Sequence, residues 1–149
     1  MPGLQPGLTF GIPAPGYWME RRFLMDYTQV RDMLIAAGVD YDTALRRMMG
    51  KESLYYRFLN QFLDDENYGL LLEAAGQGDS DIAFQAAHTL KGVCGNLGMD
   101  RLFGAVSMAV EKLRAHKGEK IPRGFLDSEI QEITKAYEDV TQAIRGAKL

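Results

Sequence analysis

The sequence predicts an all-α fold, an antiparallel up-down four-helix bundle with an additional short amino-terminal helix. Three observations predict it. No proline occurs between Asp26 and Lys120, and proline is the residue least tolerated inside a helix. Apolar residues through that stretch recur at spacings of three and four, the period of a core-facing helix. The connections between the long predicted helices are short, which favours antiparallel neighbours. No strand-like alternation and no internal repeat accompanies these signals.

Residues 1–16 hold four of the five prolines and four glycines, a composition that supports neither a helix nor a ladder strand. Residues 1–25 are therefore expected to be a flexible extension or an expression remnant, with Met19 and Met25 as alternative starts, and residues 26–149 to form the folded domain. Thr28 is suited to cap a first short helix carrying Val30, Met33, Leu34 and Ala37, which Gly38 closes. Asp40 or Asp42 opens a segment with Ala44, Leu45 and Met48, broken at Gly50. A long helix is expected from Glu52, with Leu54, Phe58, Leu59, Phe62 and Leu63 inward, then Leu70, Leu71 and Ala75. Asn67-Tyr68-Gly69 is a place for it to bend, and Gly76-Gln77-Gly78 ends it. The Asp64-Asp65-Glu66 run is read as a solvated helix face.

Asp79 or Ser80 caps the next helix, which runs to Asn96 and stops at Gly98. Asp100 caps a helix with Leu102, Val106, Ala109, Val110 and Leu113 inward. Lys112, Arg114, His116 and Lys117 crowd its end, where cations suit the dipole. After Gly118 and Pro122, a last helix repeats Leu126, Ile130, Ile133, Tyr137, Val140 and Ile144 at spacings of four and three, a bundle-packing stripe.

The chain has 149 residues, 46% hydrophobic and 25% charged, ordinary values for one domain with a single core. A net charge of −3 and a pI near 5.4 argue against nucleic acid as a partner. The lone Cys94 allows no intrachain disulfide and reads as a small buried thiol more readily than as a redox sensor. No apolar run approaches the ~18 residues of a membrane span, and no signal peptide is evident. The expectation is a soluble cytoplasmic protein with no membrane contact, and a monomer.

The stretch Ala86-Ala87-His88-Thr89-Leu90-Lys91-Gly92, continued by Val93-Cys94-Gly95-Asn96-Leu97-Gly98, carries the chemistry. At about 100° per residue with Ile82 at zero, Ala86, Leu90, Val93 and Leu97 fall between 0° and roughly 80°. His88 falls at about 240°, away from that stripe. Phe84, Lys91, Gly92 and Gly95 lie on its side. Two glycines inside a helix cost roughly 1 kcal/mol each relative to alanine. They read either as accident and neighbour packing or as a face cleared for another protein. Imidazole can carry a covalent group, and a lysine at i+3 is placed to neutralise an anion on it.

Other chemistries lack their residues. His88 and His116 stand far apart with a single cysteine, so no metal site is expected, and His116 reads as a helix-end surface residue. No glycine-rich phosphate cradle is present, so no nucleotide site is expected. No serine or cysteine sits in a nucleophile motif. A lone exposed histidine is poorly oriented to act as a general base.

Ala87-His88-Thr89-Leu90-Lys91-Gly92 followed by Gly95-Asn96-Leu97-Gly98 resembles the signature of histidine-containing phosphotransfer (HPt) domains. The resemblance covers residues 40–117 and includes Gly50-Lys51-Glu52-Ser53-Leu54-Tyr55 and the Val110-Glu111 pair. Val93-Cys94 stand where small or hydroxyl residues are common, and Gly95 replaces the usual alanine. The resemblance implies a phosphorelay intermediate of a two-component pathway, not an enzyme. His88 would accept a phosphoryl group on a ring nitrogen from a receiver-domain aspartate and pass it to another receiver. Lys91 would stabilise the phosphate, and Gly92, Gly95 and Asn96 would shape the docking face. Phe84 and exposed parts of the 54–62 helix are further docking candidates, with a competing core reading for Phe62. The implied partners are receiver domains of a response regulator or hybrid histidine kinase. No cofactor is expected on this chain, Mg²⁺ belonging to the receiver. The alternative is a helical adaptor that binds a receiver without phosphotransfer; a catalytic domain cut from a larger kinase lacks its ATP motif.

Overall fold

The computed structural model describes residues 17–149, with side chains from residue 27 onward; the proline-rich residues 1–16 lie outside the described residues. Among the described residues there are seven helices and no β-strand. They are α1 (Tyr17–Ala36), α2 (Tyr41–Arg47), α3 (Glu52–Phe62), α4 (Asn67–Gln77), α5 (Ser80–Asn96), α6 (Asp100–Arg114) and α7 (Asp127–Ala147).

The amino-terminal helix is longer than expected. It begins at Tyr17, so Thr28 lies in its interior and the 25/26 boundary falls within it. Ncap preference is worth about 1 kcal/mol, too little to stop a helix that can extend its hydrogen-bond ladder through a proline-free segment. α2 is capped as expected, with the Asp40 side chain accepting from the Thr43 N–H at 3.2 Å. The predicted long helix from Glu52 to Gln77 is instead two helices. Asp65, assigned from sequence to a solvated helix face, sits in the break. Its Oδ1 accepts from the Asn67 N–H at 2.8 Å and from Asn67 Nδ2 at 3.0 Å, satisfying a donor at the start of α4 that would otherwise lack a partner.

α5 packs between α4 and α6, and α6 packs on α7. Arg101 pairs with Asp139 at 2.6 Å and Lys112 with Glu129 at 3.2 Å. The early residue of α6 meets the later residue of α7, so these two helices run in opposite directions. α1 lies against α7, close enough that a Cβ on Gly146 would come within 3.0 Å of Met33 Cε.

The core draws on every helix, through Leu34, Tyr41, Leu59, Phe62, Leu71, Leu90, Leu102, Leu113, Ile133 and Ile144. An aromatic cluster of Tyr27, Tyr41, Tyr55 and Tyr56 joins α1, α2 and α3. Three of its hydroxyls are satisfied within the chain: Tyr41 and Tyr56 share a 2.7 Å hydrogen bond, and Tyr55 donates to the Leu97 carbonyl at 2.8 Å. Burial raises the Tyr41 and Tyr55 phenols, so both hydroxyls stay protonated. The Tyr55 bond ties α3 to the end of α5. Tyr55→Phe is therefore expected to destabilise the fold by about 1–2 kcal/mol, the cost of a buried carbonyl left without a donor. Urea unfolding measures it, and an unchanged midpoint would remove this tie from the account.

Candidate functional site

α5 starts where Asp79 accepts from the Ile82 N–H at 3.0 Å, so the cap expected from sequence is present. The buried face of α5 is rotated from the expected one. Ile82, taken as its origin, is 47% exposed, whereas Ala83, Ala86, Ala87, Leu90, Cys94 and Leu97 are buried. Those positions centre near 90°, about 150° from His88 at 100° per residue. The reason is that α5 has a helix on each side. Small residues face both neighbours and let the backbones approach, and alanine carries little weight in a reading based on large apolar side chains.

His88 is exposed, as its place on the wheel requires. Its imidazole lies parallel to the Phe84 ring, 9° between planes and 5.7 Å between centroids. Phe84 is not the open docking residue expected of it, being 8% exposed. His88 covers it on α5, while Lys117 Nζ at 5.0 Å and Arg114 Cζ at 5.3 Å lie over its ring from the end of α6. Lys91, one turn beyond His88, is half-buried, and its Nζ lies 5.6 Å from the Phe103 ring. Among the described residues no ion pair engages Lys91 or Lys117. The charge beside His88 is thus available to an incoming anion.

The two helix-face glycines separate. A Cβ on Gly92 would meet nothing within 4 Å, so no packing among the described residues requires a glycine there. A Cβ on Gly95 would come within 3.2 Å of Phe103 Cε2, and the Gly95 carbonyl accepts from Arg47 Nη1. Gly95, expected on the docking face, therefore serves internal packing, seating Phe103 and receiving α2's last arginine. Asn96 is exposed at the end of α5.

Asn96 opens onto an apolar groove of about 570 Å³ between α5 and the α2–α3 region. Val93 lines it from α5, Leu97 from the cap of α5, Leu54 and Phe58 from α3, and Met48 and Met49 from the turn between α2 and α3, with Arg47, Gln61 and Asp65 as polar neighbours. Phe58 is 36% exposed, while Phe62 is 2% exposed and belongs to the core. Met49, 77% exposed, was not anticipated as a site residue. Two adjacent methionines, flexible and polarizable, were its one signal in the sequence.

Cys94 is buried, and burial pushes its thiol up to about 12, which keeps it protonated and inert. His116 bonds Glu119 through Nδ1 at 2.9 Å and sits edge-on to Phe125 at 4.9 Å. That is a helix-end structural role. Among the described residues no cluster of three His, Cys, Asp or Glu side chains could hold a metal, and no helix is long and apolar enough to cross a membrane.

A family model described as Hpt domain matches residues 57–144, more than half of the chain and all of the His88 helix. No curated protein and no solved structure matches the chain.

Proposed function

The chain belongs to the Hpt domain family, and from that premise we propose that His88 is its phosphoacceptor. Domains of this family are phosphocarriers of two-component signalling that work with receiver domains and are not themselves catalysts. One observation carries the assignment: His88 is exposed beside Gly92, where a Cβ would meet nothing among the described residues. A helix gives up about 1 kcal/mol for such a glycine, and a partner's close approach accounts for it.

In the proposed reaction the lone pair of a ring nitrogen attacks the phosphorus of a receiver's aspartyl phosphate. The bond from phosphorus to the aspartyl oxygen breaks, and the carboxylate leaves. Reversal onto a second receiver returns the ring nitrogen. The receiver brings the Mg²⁺ and most of the positioning that phosphoryl transfer needs. This chain brings the nucleophile, and Lys91 neutralises the charge that arrives on it. The groove between α5 and α3 offers the receiver apolar area at the carboxyl-terminal end of the His88 helix, with Asn96 at its edge. We take α4 to α7 as the antiparallel up-down four-helix bundle that presents this face, and the chain as a cytoplasmic monomer.

Gly92→Gln tests the reading with effects of opposite sign. Replacing a solvent-facing helix glycine should raise stability by roughly 0.5 kcal/mol. The same side chain in the interface should cost about 1–3 kcal/mol of docking, a drop of about 5- to 150-fold in transfer from a phosphorylated receiver. Urea unfolding and a timed transfer assay measure the two. Transfer at the wild-type rate would remove the case for a cleared face.

A further inference from the structure

Phe84 and His88 are one turn apart on α5, and their nearly parallel rings 5.7 Å apart form an offset stack. The two partners differ in freedom: His88 is exposed, whereas Phe84 is 8% exposed. The last residue of α6 and the segment after it also hold Phe84, with Arg114 Cζ at 5.3 Å and Lys117 Nζ at 5.0 Å from its ring centroid. Cations within about 6 Å of an aromatic face are drawn to its quadrupole. Lys91 cannot share this task, because its ammonium lies over Phe103.

We propose that Phe84 is a positioning residue: its cation-flanked ring holds the His88 imidazole in one orientation and so sets the rate of phosphoryl transfer. The proposal rests on the phosphocarrier reading above. On a helix χ1 has two common wells and the imidazole χ2 is roughly two-fold, so a ring released from the stack spreads over about four orientations. If one of them presents the attacking nitrogen, losing the platform lowers the reactive population about fourfold.

Potassium phosphoramidate tests this without a partner protein. The ring nitrogen attacks phosphorus, the P–N bond breaks, and the nitrogen leaves as ammonia. In the wild-type protein the His88 ring protons should resonate upfield of free imidazole, shifted by the Phe84 ring current. Phe84→Leu should lose that shift and form phosphohistidine about fourfold more slowly, while Phe84→Tyr should keep both. A wild-type spectrum without the shift, a wild-type rate in Phe84→Leu, or a slow Phe84→Tyr overturns the proposal alone. Should Phe84→Leu unfold, the wild-type spectrum and the tyrosine variant decide. Should phosphoramidate leave His88 unlabelled, a phosphorylated receiver replaces it as donor, and no phosphohistidine at His88 from either donor overturns the carrier reading and this proposal together.

Discussion

Replacing His88 by glutamine is expected to leave this chain folded and unable to carry a phosphoryl group. The imidazole is exposed, and its ring contact is with Phe84 on the same helix, so the substitution opens no cavity in the core. Surface changes of this kind usually stay within about 0.5 kcal/mol. An amide has no nitrogen lone pair able to attack phosphorus, so phosphohistidine formation should vanish. The label on the wild-type chain should be acid-labile and base-stable, as a phosphorus–nitrogen bond to imidazole requires. Acid and alkali treatment of labelled wild-type and variant protein checks both statements. Label that persists in His88→Gln would place the acceptor elsewhere, and His116 is the other histidine available.

The second large effect concerns the turn that seats the His88 helix. Gly98 has φ +74, and a Cβ there would meet the Asp40 carbonyl oxygen at 2.7 Å and Ala44 Cβ at 2.9 Å. The same residue's carbonyl accepts from the Asp40 N–H at 2.7 Å and the Asp100 N–H at 2.8 Å. It thus joins the starts of α2 and α6. Alanine pays about 1–2 kcal/mol for the left-handed conformation and a comparable amount for the clash with backbone that cannot move aside. Gly98→Ala should therefore cost about 3 kcal/mol, a fall of about 10 °C in Tm for a chain of this size. Gly50 is the control, because it has φ +74 with nothing within 4 Å of its Cβ position. Gly50→Ala should show only the conformational part, about 1–2 kcal/mol. Thermal unfolding of the two variants separates the terms, and equal losses would contradict the steric argument.

Local signals in the sequence were reliable for two of the expected caps and not for Asp100, which is the first residue of α6 and follows Met99, a cap without a side-chain hydrogen bond. Asp40 and Asp79 cap the helices they precede, because an aspartate three residues before an unpaired N–H needs no tertiary contact to reach it. The same chemistry misled at Asp65. There an acidic run looked like a solvated face, yet the Asp65 carboxylate accepts from the Asn67 N–H two residues on, at the break that divides the predicted long helix. The amphipathic stripe of α5 was legible in its polarity and wrong in its centre, since alanines packed between two helices carry as much burial as leucines.

At the site, the histidine, its lysine and the open Gly92 were all readable, because helix spacing alone places them together. Phe84 and Gly95 were not. Both share the polar side of the wheel, and what buries them comes from α6 and α2: Arg114 and Lys117 over Phe84, Phe103 and Arg47 against Gly95. The groove beside Asn96 was hidden for the same reason, being made of side chains from three separate segments. Contacts across the sequence have no signature in the spacing of any one helix.

The most direct measurement is to incubate the wild-type chain with a panel of phosphorylated receiver domains and follow phosphate on both proteins. The account predicts that at least one receiver loses its aspartyl phosphate as His88 gains it, in equal amounts, with the label recoverable by a second receiver. A receiver that forms a stable complex with the chain while His88 stays unlabelled would contradict it and identify a binding adaptor instead.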